Sequence, residues 1–230
     1  MPDPPIAMTA PFPTQLPIFP LPELVFFPRT VLPLHVFEPR YRQMVAEALP
    51  ADRMLGIVLL KPGWQEDYLG SPDTYTVGCA GTMEDVVRLP DGRYTLRLAG
   101  CQKIEIGRYL RTEPYRIAEV RPLAEREPDE ADQEVQTEKV RLLAAYTSLL
   151  TAEAGRAATP FTLDTALAFP LLVNLACMHL GIEIDEKQRL LELHDVAERG
   201  RRIIARLEDA LARRLRRQWM RGGGRDEPVN

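Results

Sequence analysis

Hydrophobic residues change rhythm along this chain of 230 residues. In the first half they alternate with polar residues or run in short blocks. Beyond about residue 122 they recur every three or four positions. Alternation places side chains on the two faces of a strand, and the longer spacing builds one face of a helix. The pattern predicts a β-rich front followed by a helical rear.

The front opens with Leu16-Pro17-Ile18-Phe19-Pro20-Leu21, apolar but interrupted by proline. Proline donates nothing to a central ladder, so an edge strand or an extended wrap is expected. Val31 to Phe37 reads as a second short strand. A helix then begins at Glu38, with Pro39 where a missing N–H costs nothing. Its inner face should hold Tyr41, Met44, Val45 and Ala48, and Leu49-Pro50 should end it. Met54 to Leu60 is a continuous apolar run, as a buried strand would be. Lys61 to Asp73 forms a long loop carrying Trp64 and Tyr68. Thr74 to Leu89 is a long strand with an irregularity near Gly78 and Gly81, and Asp91-Gly92 marks a hairpin turn. Tyr94, Leu96 and Leu98, then Ile104 and Ile106, make the return strand; Tyr115 to Val120 is the last.

In the rear, Glu125 to Glu138 is acidic, as a solvated linker or a helix N-terminus would be. Helices are expected over Val135–Leu150 and Phe161–Leu180. The second should start near Thr162 or Asp164, break at Pro170 and stop at Gly181. Asp185 suits the N-cap of a short helix over Glu186–Leu193. A long last helix, Val196 to Trp219, carries Ile204, Leu207, Leu211 and Leu215 as one stripe before Gly222.

Composition narrows the class. A net charge of −4 argues against a nucleic-acid field over the whole protein. Three widely spaced cysteines, Cys79, Cys101 and Cys177, suggest neither a disulfide framework nor a zinc site. No secretory signal and no membrane-length apolar run is visible, so a soluble cytoplasmic protein without membrane contact is expected.

Three stretches carry a family resemblance. The first joins Leu16-Pro17-Ile18-Phe19-Pro20-Leu21, Val25-Phe26-Phe27-Pro28-Arg29, and Leu32-Pro33-Leu34-His35-Val36-Phe37-Glu38-Pro39-Arg40-Tyr41. The second joins Val77-Gly78-Cys79-Ala80-Gly81, Leu89-Pro90-Asp91-Gly92-Arg93 and Leu98-Ala99-Gly100-Cys101-Gln102-Lys103-Ile104. The third is Glu186-Lys187-Gln188-Arg189-Leu190-Leu191-Glu192. Together they resemble the N-terminal substrate-binding domain of the Lon protease family, over roughly residues 14–220. The resemblance implies an α+β fold: an N-terminal PUA-like β-barrel with one helix, then a C-terminal α-helical bundle ending in a long helix. The expected limits are a disordered tail over 1–13, the β subdomain over 14–122, the helical subdomain over 123–221 and a second disordered tail over 222–230.

The chemistry of the full Lon machine is missing. A phosphate-binding Walker loop needs Gly-Lys, and this sequence has no such dipeptide. Ser71 and Ser148 are the only serines, one before a proline in a loop and one on a helix. His35, His179 and His194 share no ligand spacing. No catalytic, cofactor or metal residue is therefore assigned. A stand-alone, non-enzymatic, ATP-independent protein- or peptide-binding module is expected, serving as an adaptor in protein quality control. Its partners would be unfolded or degron-bearing polypeptide segments and a separate protease.

Four aromatics are candidate partner contacts: Phe26 and Phe27, adjacent in an extended segment, and Trp64 and Tyr68 in the long loop. Glu38, Arg40, Tyr41 and Arg42 read as braces of the strand–helix junction rather than a binding edge. The last helix, with ten arginines from Arg199 to Arg225, has three readings: a solvated face, a self-association surface, or a nucleic-acid or anionic-membrane contact. The alternative function is accordingly an RNA-binding PUA-like protein, though nucleic acid is not the expected partner.

Overall fold

The computed structural model describes residues 11–67, 70–154 and 164–222. Two compact units emerge. One holds the described residues up to Arg126 together with Cys177–His194; the other holds Glu127–Ala176 together with those from Asp195 onward.

The first unit is built on six strands: β1 Gln15–Leu21, β2 Val31–Val36, β3 Met54–Leu59, β4 Val77–Arg88, β5 Tyr94–Arg111 and β6 Arg116–Pro122. They form one mixed sheet in the order β2-β5-β4-β3-β1-β6, in which β1 and β3 run parallel. The expected PUA-like β-barrel is corrected: the sheet is not a closed barrel, and β2 at one end has β5 as its only strand partner among the described residues. The reason lies in β5. Its 18 residues are long enough to serve different neighbours. Tyr94–Ala99 pairs with β2, and Ile104–Arg111 pairs with β6 across register shifts. Bulges of this kind bend a strand and re-aim it.

β1 is a second correction, because it lies inside the sheet order rather than at an edge. Its ladders are staggered: β6 pairs with Gln15–Ile18 and β3 with Ile18–Leu21. Pro17 therefore has a ladder only on the β6 side, and Pro20 only on the β3 side. Each proline keeps one flank free of ladder bonds, where its missing donor does no harm.

Helix α1, Pro39–Ala48, starts at its proline and buries Tyr41, Met44, Val45 and Ala48, the face set by the spacing. Burying side chains such as Met44 and Val45 stabilises the fold by about 1.5–3 kcal/mol each. β3 is buried at every position. Phe26 packs in the same core as α1 and touches the backbone space at Gly81 and Gly100. A Cβ on Gly100 would stand 2.5 Å from the Phe27 carbonyl oxygen, so only glycine fits there. At the hairpin, Gly92 adopts φ +81°, as the Asp-Gly turn requires.

The first unit also takes α4, Ile184–Glu192, from far along the chain. Here the third resemblance motif finds its physical sense. Gln188 is buried and donates to the Val77 carbonyl at 3.0 Å and to Glu192 at 3.0 Å. Lys187 donates to the Met178 carbonyl at 2.6 Å. Asp185 is not the N-cap: Glu183 holds that place without a side-chain cap bond, and Asp185 accepts instead from the Tyr75 hydroxyl at 3.0 Å.

The second unit pairs α2, Gln133–Ala154, with α5, Val196–Gly222. α3, Phe169–His179, begins at Phe169 with Pro170 directly after it, so this proline opens the helix instead of interrupting it. The expected starts at Thr162 and Phe161 lie outside the described residues, and Asp164 precedes the helix. The apolar stripe of α5 is buried at Ile204 and Leu207 and becomes exposed at Leu215.

Candidate protein-binding face

β2 and its neighbours present two unlike faces. Leu32, Val36, Leu96, Leu98 and Met83 point into the core. Between them, at alternate positions, Val31, Pro33 and His35 of β2 face outward beside Ala99, Arg97 and Thr95 of β5 and Thr82, Glu84 and Val87 of β4. On this face Val87 is 53% exposed, and Phe37, just past β2, is 62% exposed. His35 meets the Phe37 ring edge-on at 6.3 Å. Arg97 is tied to Asp85 at 3.2 Å. Exposed apolar groups set among polar ones are the pattern of partner surfaces.

The backbone edge of β2 is a poorer template. Strand addition needs a run of free N–H groups, and Pro33 removes one in mid-strand. Contact by side chains on the face, rather than a new strand on the edge, is what the geometry offers.

The four aromatics fall differently. Phe26 and Phe27 are buried to 1% and 0% exposure, so both rings face the interior in this conformation. Trp64, in the short 3-10 turn Trp64–Asp67, is half-buried. Tyr68 lies outside the described residues. Glu38 and Arg40 pair at 3.0 Å, Arg40 covers the Tyr41 ring at 4.6 Å, and Tyr41 packs on Phe19 at 4.3 Å. That motif braces the junction between β2 and α1.

Three polar clusters of the first unit were not foreseen. Lys103, 1% exposed on β5, donates to the Leu193 carbonyl at 2.7 Å and meets Glu125 at 3.4 Å. The Tyr115 hydroxyl donates to Glu47, and Arg111 lies over the Tyr115 ring at 4.1 Å. That hydroxyl bond, more than any nearby charge, holds the Glu47 carboxyl below its usual range, while burial raises the Tyr115 phenol. Arg116, buried at the start of β6, faces a cavity. Each joins residues far apart in sequence, so local pattern carries no trace of it.

None of these clusters supplies a nucleophile with a base. Ser71 and Ser148 are both exposed and stand in different units. Among the described residues no group of His, Cys, Asp and Glu could hold a metal ion. No described helix is long and apolar enough to cross a membrane.

The "ATP-dependent protease La (LON) substrate-binding domain" family matches residues 15–209. The chain belongs to this LON substrate-binding domain family. Its relatives include a Lon protease of Parabacteroides distasonis, 28% identical over 194 residues, which cover 82% of this chain and 23% of that protein. Lon protease 2 of Herpetosiphon aurantiacus is 31% identical over 194 residues, with 82% and 23% covered. The chain thus spans about a quarter of the length of the curated relatives it matches. Among solved structures, the N-terminal domain of the Mycobacterium avium complex Lon protease superposes with a TM-score of 0.63 at 18% identity, covering 85% of this chain and 98% of that one. A Lon N-terminal domain protein from Xanthomonas campestris gives 0.58 at 22% identity, covering 84% and 98%. The matched family is the substrate-binding domain of Lon, and these 230 residues contain no Gly-Lys dipeptide of the kind a Walker phosphate loop needs.

Proposed function

We propose that this LON domain captures unfolded or degron-bearing polypeptide segments on the outward face of β2, β5 and β4. The observation that carries the reading is the exposed pair Phe37 and Val87 beside Val31 and Pro33, on a family fold whose name is substrate binding. The half-buried Trp64 is a further contact candidate, because an aromatic on a loop anchors a chain at little ordering cost. Delivery to a separate ATP-dependent protease is the corresponding biological role; co-purification of the full chain with such a protease is the test, and its absence would count against that role.

The test uses the full chain and a reduced, carboxymethylated protein as unfolded bait. Native bait should not be retained. Phe37→Ser with Val87→Ser should weaken capture at least about fivefold while leaving the melting temperature within a degree or two, since exposed positions move stability by only about 0.5 kcal/mol. Unchanged capture by that double variant rejects this face.

A self-association surface on α5 is favoured by one observation. Leu215 and Met220 are 65% and 75% exposed on the continuation of a stripe that is buried further back. The RNA reading of the same helix is less favoured, because its arginines are partly spent. Arg201 pairs with Glu138 at 3.7 Å, Arg202 with Glu198 at 2.5 Å and Arg213 with Asp209 at 2.5 Å.

A further inference from the structure

A cavity of about 200 Å³ opens in the first unit, away from the β2 face. Its walls are the Ser71–Thr76 segment that leads into β4, the shifted stretch Ile106–Tyr109 of β5, Thr112, and Arg116 of β6. Arg116 is the unusual member. It is 6% exposed, yet among the described residues it forms no ion pair, although Asp73 lines the same cavity. One terminal nitrogen donates to the Pro72 carbonyl at 2.7 Å, and the guanidinium lies over the Tyr109 ring at 5.2 Å. A guanidinium has five N–H donors, and this geometry uses few of them. Arg116 lines this cavity, and no nitrogen of it is buried without a partner. Around it stand hydroxyls: Thr74, whose Oγ1 shares a 2.7 Å hydrogen bond with the Tyr109 hydroxyl, and those of Ser71, Thr76 and Thr112.

A buried cation outside any ion pair, facing a space lined by hydroxyls with Asp73 as its one carboxylate, suits an oxyanion that can compete with that carboxylate. We infer that this cavity holds a carboxylate of the captured polypeptide, either its chain terminus or an acidic side chain. A carboxylate fits better than a phosphate because Asp73 lines the same cavity and would repel a dianion more strongly. The space accommodates a terminal residue, and planar bidentate pairing with carboxylate is what a guanidinium does best. The inference deepens the polypeptide-capture reading and rests on it.

The test measures anisotropy of three N-terminally labelled peptides of one sequence with the full chain. One ends in a free carboxylate, one in a carboxamide, and one in a carboxamide with a single internal Glu. The free-acid peptide, the Glu peptide or both should bind at least tenfold tighter than the neutral one, and which of them does identifies the source of the carboxylate. Arg116→Met should erase the difference, and Arg116→Lys should retain part of it. Asp73 is exposed, so Asp73→Asn should fold normally and tighten acid-bearing peptides about twofold or more. It keeps the idea testable even where Arg116 variants unfold. Equal affinity for all three peptides overturns the inference and leaves capture of carboxymethylated bait standing; loss of that bait capture rejects the parent reading instead. Competition by inorganic phosphate but not by acetate assigns the cavity to phosphate and overturns the carboxylate.

Discussion

Replacing Lys103 by methionine tests whether a buried charge organises the first unit. The substitution keeps the aliphatic stem and removes only the ammonium. Lys103 is 1% exposed, its Nζ donates to the Leu193 carbonyl at 2.7 Å, and its carboxylate neighbour Glu125, at 3.4 Å, is 12% exposed at the side chain. A hydrogen bond from a charged donor is worth about 1.5–3 kcal/mol net. Removing one member of a buried ion pair costs about 3–5 kcal/mol, mostly as the penalty on the charge left behind. Glu125 retains some access to water, so the lower end applies and about 3 kcal/mol should be lost. For a chain of this size each kcal/mol lowers the melting temperature by about 2–4 °C, so a fall of about 6–12 °C is expected. Urea unfolding followed by circular dichroism should show the midpoint falling with little change in slope. Adding Glu125→Gln should recover part of the loss, because the stranded carboxylate is then neutral. Raising salt should not mimic the variant, since buried pairs are weakly screened. A loss below about 1 kcal/mol would refute the assignment of Lys103 as a structural charge.

Other perturbations separate packing, titration and association. Gly100→Ala should destabilise by about 1–3 kcal/mol in the same urea assay, because its Cβ would stand 2.5 Å from the Phe27 carbonyl oxygen and 3.0 Å from the Phe26 ring. Glu138→Gln should stabilise at pH 7. Burial raises the Glu138 carboxyl above the usual carboxylate range, only partly offset by Arg201, and its Oε2 is buried without a hydrogen-bond partner among the described residues. A raised acid makes the folded state bind the proton more tightly, so the penalty is present above the folded value and vanishes below the unfolded one. The gain in urea midpoint should therefore shrink towards pH 4; a pH-independent gain would sink the titration argument. Leu215→Glu should shift sedimentation towards monomer at high protein concentration if α5 pairs with a second copy, and leave secondary structure unchanged.

Elements bounded by local chemistry were readable in advance. Pro39 and the 41-44-45-48 spacing define α1 and its buried face, and Asp91-Gly92 defines the β4–β5 turn. The periodicity of α5 was equally visible. What depended on pairing was not. Prolines in β1 argued for an edge, and only the staggered β3 and β6 ladders reconcile them with an internal position. The barrel expectation failed for a related reason, since how an 18-residue strand divides among its neighbours is a matter of register shifts. Asp185 looked like a helix cap because caps are local; its partner Tyr75 lies 110 residues away.

The candidate surfaces divide along the same line. Aromatic content drew attention to Phe26 and Phe27, yet adjacent aromatics can both be buried where glycines at 81 and 100 leave room. Phe37 and Val87 were passed over because each sits in an ordinary alternating pattern. Their exposure follows from β2 standing at the end of the sheet order, with its outward positions in line with those of β5 and β4. Arg116 is the sharpest case. In sequence it is one arginine in an alternating strand; in the fold it donates to the Pro72 carbonyl, lies over the Tyr109 ring and shares a cavity with Asp73, with no ion pair among the described residues. Sequence position says which residues carry charge, but whether a charge is satisfied depends on groups brought in by other strands. A buried charge outside any ion pair at a cavity is therefore a feature that only the tertiary structure reveals, and it is the one on which the proposed carboxylate site rests.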